Sequence, residues 1–131
     1  MRGLVVDDAR CFGCRACATA CPPARIGLWE ADGVRYVRFP GVCQEDCTRC
    51  QEVCPREAIS FEEVGAERAG RELRFVLHPC DRCGRPFAPE PMLADLRPRV
   101  NQAMATTESP WLNLCLSCRR EEVAAGLLDA L

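Results

Sequence analysis

Apolar residues occur along this chain in short runs. GLVV (3–6), IGLW (26–29) and AISF (58–61) are brief apolar stretches, and VRYVRF (34–39) alternates with the period of a half-buried strand. The turn-forming pair Asp32-Gly33 lies between the second run and VRYVRF, which predicts a hairpin over 26–39. VGAERAGREL (64–73) is polar and glycine-containing and reads as a connector or exposed hairpin, followed by a strand at LRFVL (73–77). The period then changes. Over 90–105, Met92, Leu93, Leu96, Val100 and Met104 can share one helical face, with Pro98 kinking or splitting the segment. From Arg119 to Leu131 a short terminal helix presents Val123, Leu127 and Leu128. Both stripes are expected to pack onto the cysteine-rich part of the chain, and a partner-docking face is their other use.

The first half repeats itself. Cys14, Cys17 and Cys21 recur 33 positions later as Cys47, Cys50 and Cys54, as do Pro22 as Pro55, Ile26 as Ile59 and Leu28 as Phe61. Cys11 is matched by Cys43 at an offset of 32. Each copy reads as a short strand, a cysteine-rich loop, a helical turn and another short strand. The fold class expected is therefore α+β.

Composition narrows the chemistry. Twelve of the 131 residues are cysteine. They fall in tight CxxC groupings, and the start of the chain shows no secretory signal, so metal-binding thiolates in a reducing cytoplasm are expected rather than disulfides. No apolar stretch approaches the roughly 20 residues of a membrane span, so any membrane contact is expected through a partner, on the cytoplasmic face of a membrane complex. All 17 basic residues are arginine, and no basic block with interleaved aromatics appears, which argues against nucleic acid as a partner.

CFGCRACATACP reads C-x2-C-x2-C-x3-C-P, and CQEDCTRCQEVCP reads C-x3-C-x2-C-x3-C-P. A cubane cluster needs four soft thiolates converging on four irons. Three close cysteines on a curling loop cap one side of it, and the proline after the last cysteine holds Cys21 and Cys54 extended. Zinc or disulfides would leave the third cysteine of each run and both prolines unexplained. Small residues beside the cysteines (Gly13, Ala16, Ala18, Ala20) let amides approach sulfur and leave room for a bulky cluster.

These runs, over about residues 3–63, closely resemble those of bacterial two-[4Fe–4S] ferredoxins. The resemblance implies a dicluster ferredoxin-like pseudo-repeat. It assigns Cys11, Cys14, Cys17 and Cys54 to one cluster and Cys21, Cys43, Cys47 and Cys50 to the other. The extra residue between Cys43 and Cys47 departs from the simplest pattern. Clusters held by four cysteines leave no open iron, so one-electron transfer rather than catalysis is expected.

Cys80, Cys83, Cys115 and Cys118 form a third set, CxxC-x31-CxxC. Two such knuckles on one ion make a tetrathiolate, the geometry of structural zinc and of mononuclear iron. Zinc is expected here, with mononuclear iron and a third cubane as alternatives, in a zinc-ribbon or rubredoxin-like knuckle segment with short helices. His78 is placed in the approach loop, since four thiolates already complete the shell. CDRCGRPF (80–87) with CLSC (115–118), added to the two runs, is similar to the small iron–sulfur subunits of formate hydrogenlyase, hydrogenase-4 and related group 4 membrane-bound hydrogenases, kin of the dicluster subunit of complex I. That likeness implies a relay between larger redox subunits of hydrogenase or formate type. A second relative, the polyferredoxin-like subunit of tungsten aldehyde oxidoreductases, implies further cubanes and an aldehyde-oxidising partner.

The domain organisation expected is a two-cluster domain (1–64), a connector and strand (65–79) and a metal-binding segment (80–131). A redox-responsive zinc-knuckle regulator is the reading from another class. It lacks a basic stripe, since Arg119-Arg120 is a single pair at a helix start. Asp7-Asp8 and Glu62-Glu63 are adjacent on strands, point to opposite faces, and are read as solvated ends rather than acid–base pairs.

Overall fold

A computed structural model of the chain describes residues 1–22, 24–43 and 46–129. It divides into two compact units, Met1–Phe75 and Val76–Leu131. The architecture is small and α+β.

In the first unit, strand β1 (Arg2–Val6) pairs antiparallel with β4 (Ile59–Glu63), and β2 (Gly27–Ala31) pairs antiparallel with β3 (Val34–Phe39). Two five-residue helices, α1 (Ala16–Ala20) and α2 (Arg49–Val53), carry cysteines. The β2–β3 hairpin turns at Asp32 (φ 53°) and Gly33 (φ 76°), the two left-handed residues that a tight hairpin with the native twist requires. Equivalent pieces lie 33 residues apart. Leu4 faces Phe61 as Val37 faces Leu28, Arg2 faces Glu63 as Arg35 faces Glu30, and α2 starts 33 residues after α1. Cys21 (φ −74°, ψ 107°) and Cys54 (φ −70°, ψ 113°) end the two helices in extended conformations, as the following prolines demand.

Leu4, Val6, Ile26, Val37, Phe39, Ile59 and Phe75 form the core of this unit. Strand β3 is buried at Val37 and Phe39 and also at Arg35, which shares their face. Segment 41–43 runs beside β1, with the Leu4 N–H donating to Gly41 O (3.1 Å) and the Cys43 N–H to Arg2 O (3.0 Å). Gly41 is crossed so closely by the connector that a Cβ there would lie 2.0 Å from the Arg68 carbonyl oxygen. Arg68 ties the crossing down by donating to Leu4 O (2.9 Å) and Gly41 O (3.2 Å).

Strand β5 (Arg71–Pro79) is longer than the expected 73–77 and continues into the second unit. There its end pairs with a strand that the sequence pattern does not reveal, β6 (Pro86–Pro89), in the register Leu77↔Pro89, His78↔Ala88 and Pro79↔Pro86. Prolines at both ends conceal this strand in the sequence; the sheet accepts them because β6 is an edge, where missing N–H donors cost no ladder bond. Helix α3 (Glu90–Ala103) buries Leu93 and carries Pro98 without being split. Met104, expected on its apolar face, lies past the last turn and is exposed.

A 3-10 turn (Pro110–Asn113) leads into α4 (Leu116–Asp129), which starts inside CLSC rather than after it. The expectation that its stripe is packed is corrected here. Val123, Leu127 and Leu128 are 64%, 65% and 69% exposed, because the helix is anchored by its first turn and then runs outward. Ala130 and Leu131, the end of the expected terminal helix, lie outside the described residues.

Candidate metal centres

Three groups of four cysteines stand out. One cavity is lined by Cys11, Cys14, Cys17 and Cys54 against Phe12, Val37, Phe39 and Ile59. Another is lined by Cys21, Cys43, Cys47 and Cys50 with Leu4, Ile26 and Pro40. Each cavity thus takes three cysteines from one run and a fourth from the other. The segment that departs from the simplest motif, between Cys43 and Cys47, includes Gln44 and Glu45, which lie outside the described residues.

The fourth cysteines are held alike. The Arg25 N–H donates to Cys21 Sγ at 3.4 Å and the Ala58 N–H to Cys54 Sγ at 3.3 Å. Ala24 (φ 54°) and Glu57 (φ 52°), one residue before these donors, take the left-handed turn that brings the amide round. Such bonds favour the charged sulfur, whereas burial opposes it. Burial wins at three positions. It pushes the Cys17 thiol up to about 12, with the neighbouring Cys11 charge adding to it. It raises Cys11 against an opposing bond from the Gly13 amide, and Cys50 against one from the Gln51 amide. Metal-free, these thiols keep their protons at neutral pH, and taking up a soft metal releases them.

The third group is Cys80, Cys83, Cys115 and Cys118, whose Sγ atoms all lie within 4.8 Å of one another. The first knuckle turns at Gly84 (φ 79°), with the Gly84 N–H on Cys80 O and the Cys80 N–H on Arg85 O, both at 2.9 Å. Cys83 Sγ is 3.7 Å from Cys115 Sγ, and an Arg85 guanidinium nitrogen is 3.8 Å from the same Cys115 sulfur. Burial alone would raise the Cys80 thiol. The amides of Cys83, Cys115 and Arg82 outweigh it and bring the thiol down to about 6. The Cys118 amide lowers Cys115 against burial, while burial and its three neighbours hold Cys118 up at about 12. This set is therefore part thiolate at neutral pH.

His78 contributes nothing to this shell. Its Nδ1 faces Glu90 Oε1 at 3.0 Å and its Nε2 faces Asp81 Oδ1 at 3.3 Å. The paired carboxylates are used in surface ion pairs, Asp8 with Arg71 (2.6 Å), Glu62 with Arg68 (2.7 Å) and Glu63 with the N-terminal ammonium (3.1 Å). Two residues that the sequence motifs do not single out are tied to the cysteine loops. Arg35 donates to Gly13 O and Arg2 to Cys47 O. The signal for them is present in the sequence, since the repeat offset of 33 that pairs the cysteines also pairs Arg2 with Arg35. No helix among the described residues is long and apolar enough to cross a membrane.

No protein-family model matches the chain. Over 84 residues, 62% of its length, the chain is 30% identical to Polyferredoxin protein MvhB of Methanothermobacter thermautotrophicus, of which it covers 19%. The Methanothermobacter marburgensis protein of the same name is 31% identical over 84 residues with the same coverage. A protein of Archaeoglobus profundus described as like the C subunit of heterodisulfide reductase is 34% identical over 70 residues, 44% of this chain and 37% of that protein. The chain thus spans about a fifth of the polyferredoxins and little more than a third of the third relative. With twelve cysteines gathered in fours, these distant likenesses support an iron–sulfur electron-transfer protein of ferredoxin type.

Proposed function

We propose that the chain is a non-catalytic electron-transfer subunit that relays single electrons through two [4Fe–4S] clusters between the larger subunits of an oxidoreductase complex of hydrogenase, formate or heterodisulfide reductase type. Cys11, Cys14, Cys17 and Cys54 hold one cluster, and Cys21, Cys43, Cys47 and Cys50 the other, in a dicluster pseudo-repeat. The observation that carries this reading is the exchange of the fourth cysteine between two cysteine-lined cavities. The donor sets fit the group, being all thiol, arranged in fours and backed by apolar walls.

A [4Fe–4S] cluster, when bound, supplies one-electron transfer. The chain's own residues do the rest. The cysteines give up protons to become ligands, and the amides of Arg25 and Ala58 stabilise the charge on Cys21 and Cys54. Phe12, Val37, Phe39 and Ile59 keep water from the first cavity. With every thiol of each set engaged, no position is left for a substrate.

The third set holds one metal ion, zinc or mononuclear iron. A tetrahedral Zn–S shell with bonds of ≈ 2.3 Å puts its sulfurs about 3.8 Å apart, and the Cys83–Cys115 separation is 3.7 Å. A cubane would place each thiolate on a different iron and spread them wider. This favours the hydrogenase-type reading over a polyferredoxin with a third cubane.

Anaerobic purification, metal and sulfide counting, and EPR after dithionite test the reading. About eight irons, eight sulfides and one further metal are expected, with two interacting reduced centres. A protein that binds iron and sulfide but gives no reducible signal would overturn it.

A further inference from the structure

We propose that Arg2 and Arg35 are the positioning residues of the two cysteine loops, each reaching from its own half of the chain to hold the loop of the other and setting how readily the centre beside it is reduced. This rests on the two-centre reading above.

The two arginines occupy equivalent places. They lie 33 residues apart on β1 and β3, each facing an acid on the paired strand, Glu63 and Glu30. Each then crosses to the other half. Arg35 Nη1 donates to Gly13 O at 2.6 Å, in the loop of Cys11, Cys14 and Cys17, while its Nε donates to Glu30 Oε1 at 2.9 Å. Arg2 Nη1 and Nη2 both donate to Cys47 O at 3.2 Å, and its guanidinium lies 3.9 Å from the Phe61 ring centroid.

The Arg35 side chain is only 6% exposed. A guanidinium is costly to bury unless its donors are engaged, so a strand position where an apolar residue would fit the alternation carries a charge aimed at a loop carbonyl. Gly13 shows what the grip holds. Its amide is what opposes the raised Cys11 thiol, and its carbonyl is fixed by Arg35. The peptide plane then directs the Cys14 N–H away from Arg35.

Charge follows from the same placement. A guanidinium carries a fixed positive charge. Reducing a centre adds negative charge beside them, so each arginine favours the reduced state of the nearer centre. Arg35 is the better buried and its field is the less screened.

The test is a potentiometric titration of the reconstituted full chain, followed by EPR, alongside iron release to a chelator. Arg35→Met should move one couple negative by about 59 mV, a tenfold change in its reduction equilibrium, with the other couple moving less. Arg2→Met should move the other couple more. Arg35→Lys should recover most of the potential but not the slow iron release, because one ammonium cannot span Gly13 O and Glu30 as the guanidinium does. If Arg35→Met does not take up iron, Arg35→Lys and Arg2→Met decide by the same readouts. Two couples that ignore both substitutions, with unchanged iron release, would overturn the inference alone. A wild-type chain without two couples would overturn the two-centre reading instead.

Discussion

Removal of Cys54 distinguishes a centre built within one cysteine run from a centre shared between two. Cys54 is the last cysteine of the second run, yet it lines the cavity of Cys11, Cys14 and Cys17, with the Ala58 N–H 3.3 Å from its sulfur. Serine in its place offers a harder oxygen donor that iron–sulfur chemistry disfavours. The single variant Cys54→Ser should therefore lose one centre and retain about four irons of eight. Which centre is lost follows from pairing it with a second substitution. Cys14→Ser damages the same cavity, so the double variant Cys54→Ser/Cys14→Ser should still hold about four irons, the two losses overlapping as expected for residues of one unit. Cys47 lines the other cavity, so Cys54→Ser/Cys47→Ser should hold almost none. Iron and sulfide analysis on anaerobically reconstituted protein gives the counts, and EPR of the reduced protein shows whether the surviving signal has lost its magnetic partner. The reverse pattern, with retention in Cys54→Ser/Cys47→Ser and loss in Cys54→Ser/Cys14→Ser, would refute the exchange of fourth ligands.

Packing and charge yield three more expected outcomes. Gly41→Ala puts a methyl group against the backbone carbonyls of Arg68 and Ala69, which no rotamer change can relieve; it should cost about 2–4 kcal/mol, read as a shift in denaturant midpoint, while Gly65→Ala, with nothing within 4 Å of its Cβ, should stay within about 0.5 kcal/mol. In the metal-free chain the Cys80 thiol at about 6 lies below its ordinary 9.0, so its contribution to stability is complete above pH 9.0 and fades as pH falls toward 6. Zinc uptake should accordingly release one more proton below pH 6 than above it, measured by calorimetry in buffers of different ionisation enthalpy; equal counts on both sides would contradict the lowered thiol. Leu127→Ser with Leu128→Ser should change stability by no more than about 0.5 kcal/mol, since both side chains are exposed; a larger loss of midpoint would mean that the stripe is covered.

The strands of the first unit were legible because alternation and the Asp32-Gly33 turn are local signals that tertiary packing did not override. The cysteine positions were legible because thiolate chemistry fixes their spacing. β6 was not, since a strand bounded by Pro86 and Pro89 lacks the donors and side chains by which strands are recognised. The apolar stripe of α4 was visible at helical spacing, but periodicity says only that one face is apolar, not that anything lies against it. Arg35 shows a different limit. Alternation places it on the face of Val37 and Phe39, yet a charged residue in a strand is habitually assigned to solvent. Only the Gly13 carbonyl and Glu30, brought close by the fold, explain why burial is tolerated there.

The two units differ in how their cysteines sit in the apolar packing. The first has an apolar core that exists apart from its cysteines, in Leu4, Val6, Ile26, Val37, Phe39, Ile59 and Phe75, with Cys11, Cys17, Cys21 and Cys54 packed at its margin. In the second, three of the four residues in the buried cluster around the knuckles are themselves cysteines, Cys80, Cys115 and Cys118, joined by Leu114 and flanked by Phe87. There the cysteines make up most of that cluster, while Leu77, Ala88, Leu93 and Leu112 are buried elsewhere in the unit. Without an ion, that cluster holds a Cys80 thiolate beside a Cys118 thiol that resists ionisation, with an Arg85 guanidinium nitrogen 3.8 Å from the Cys115 sulfur. A cation coordinated by all four sulfurs would remove the conflict and tie together two segments 31 residues apart in sequence. An ion bound at the third set should therefore stabilise the second unit, whereas the cysteine-lined cavities of the first are pockets in a fold with an apolar core of its own. Removing such an ion should lower the stability of the second unit while leaving β1 to β4 unaffected.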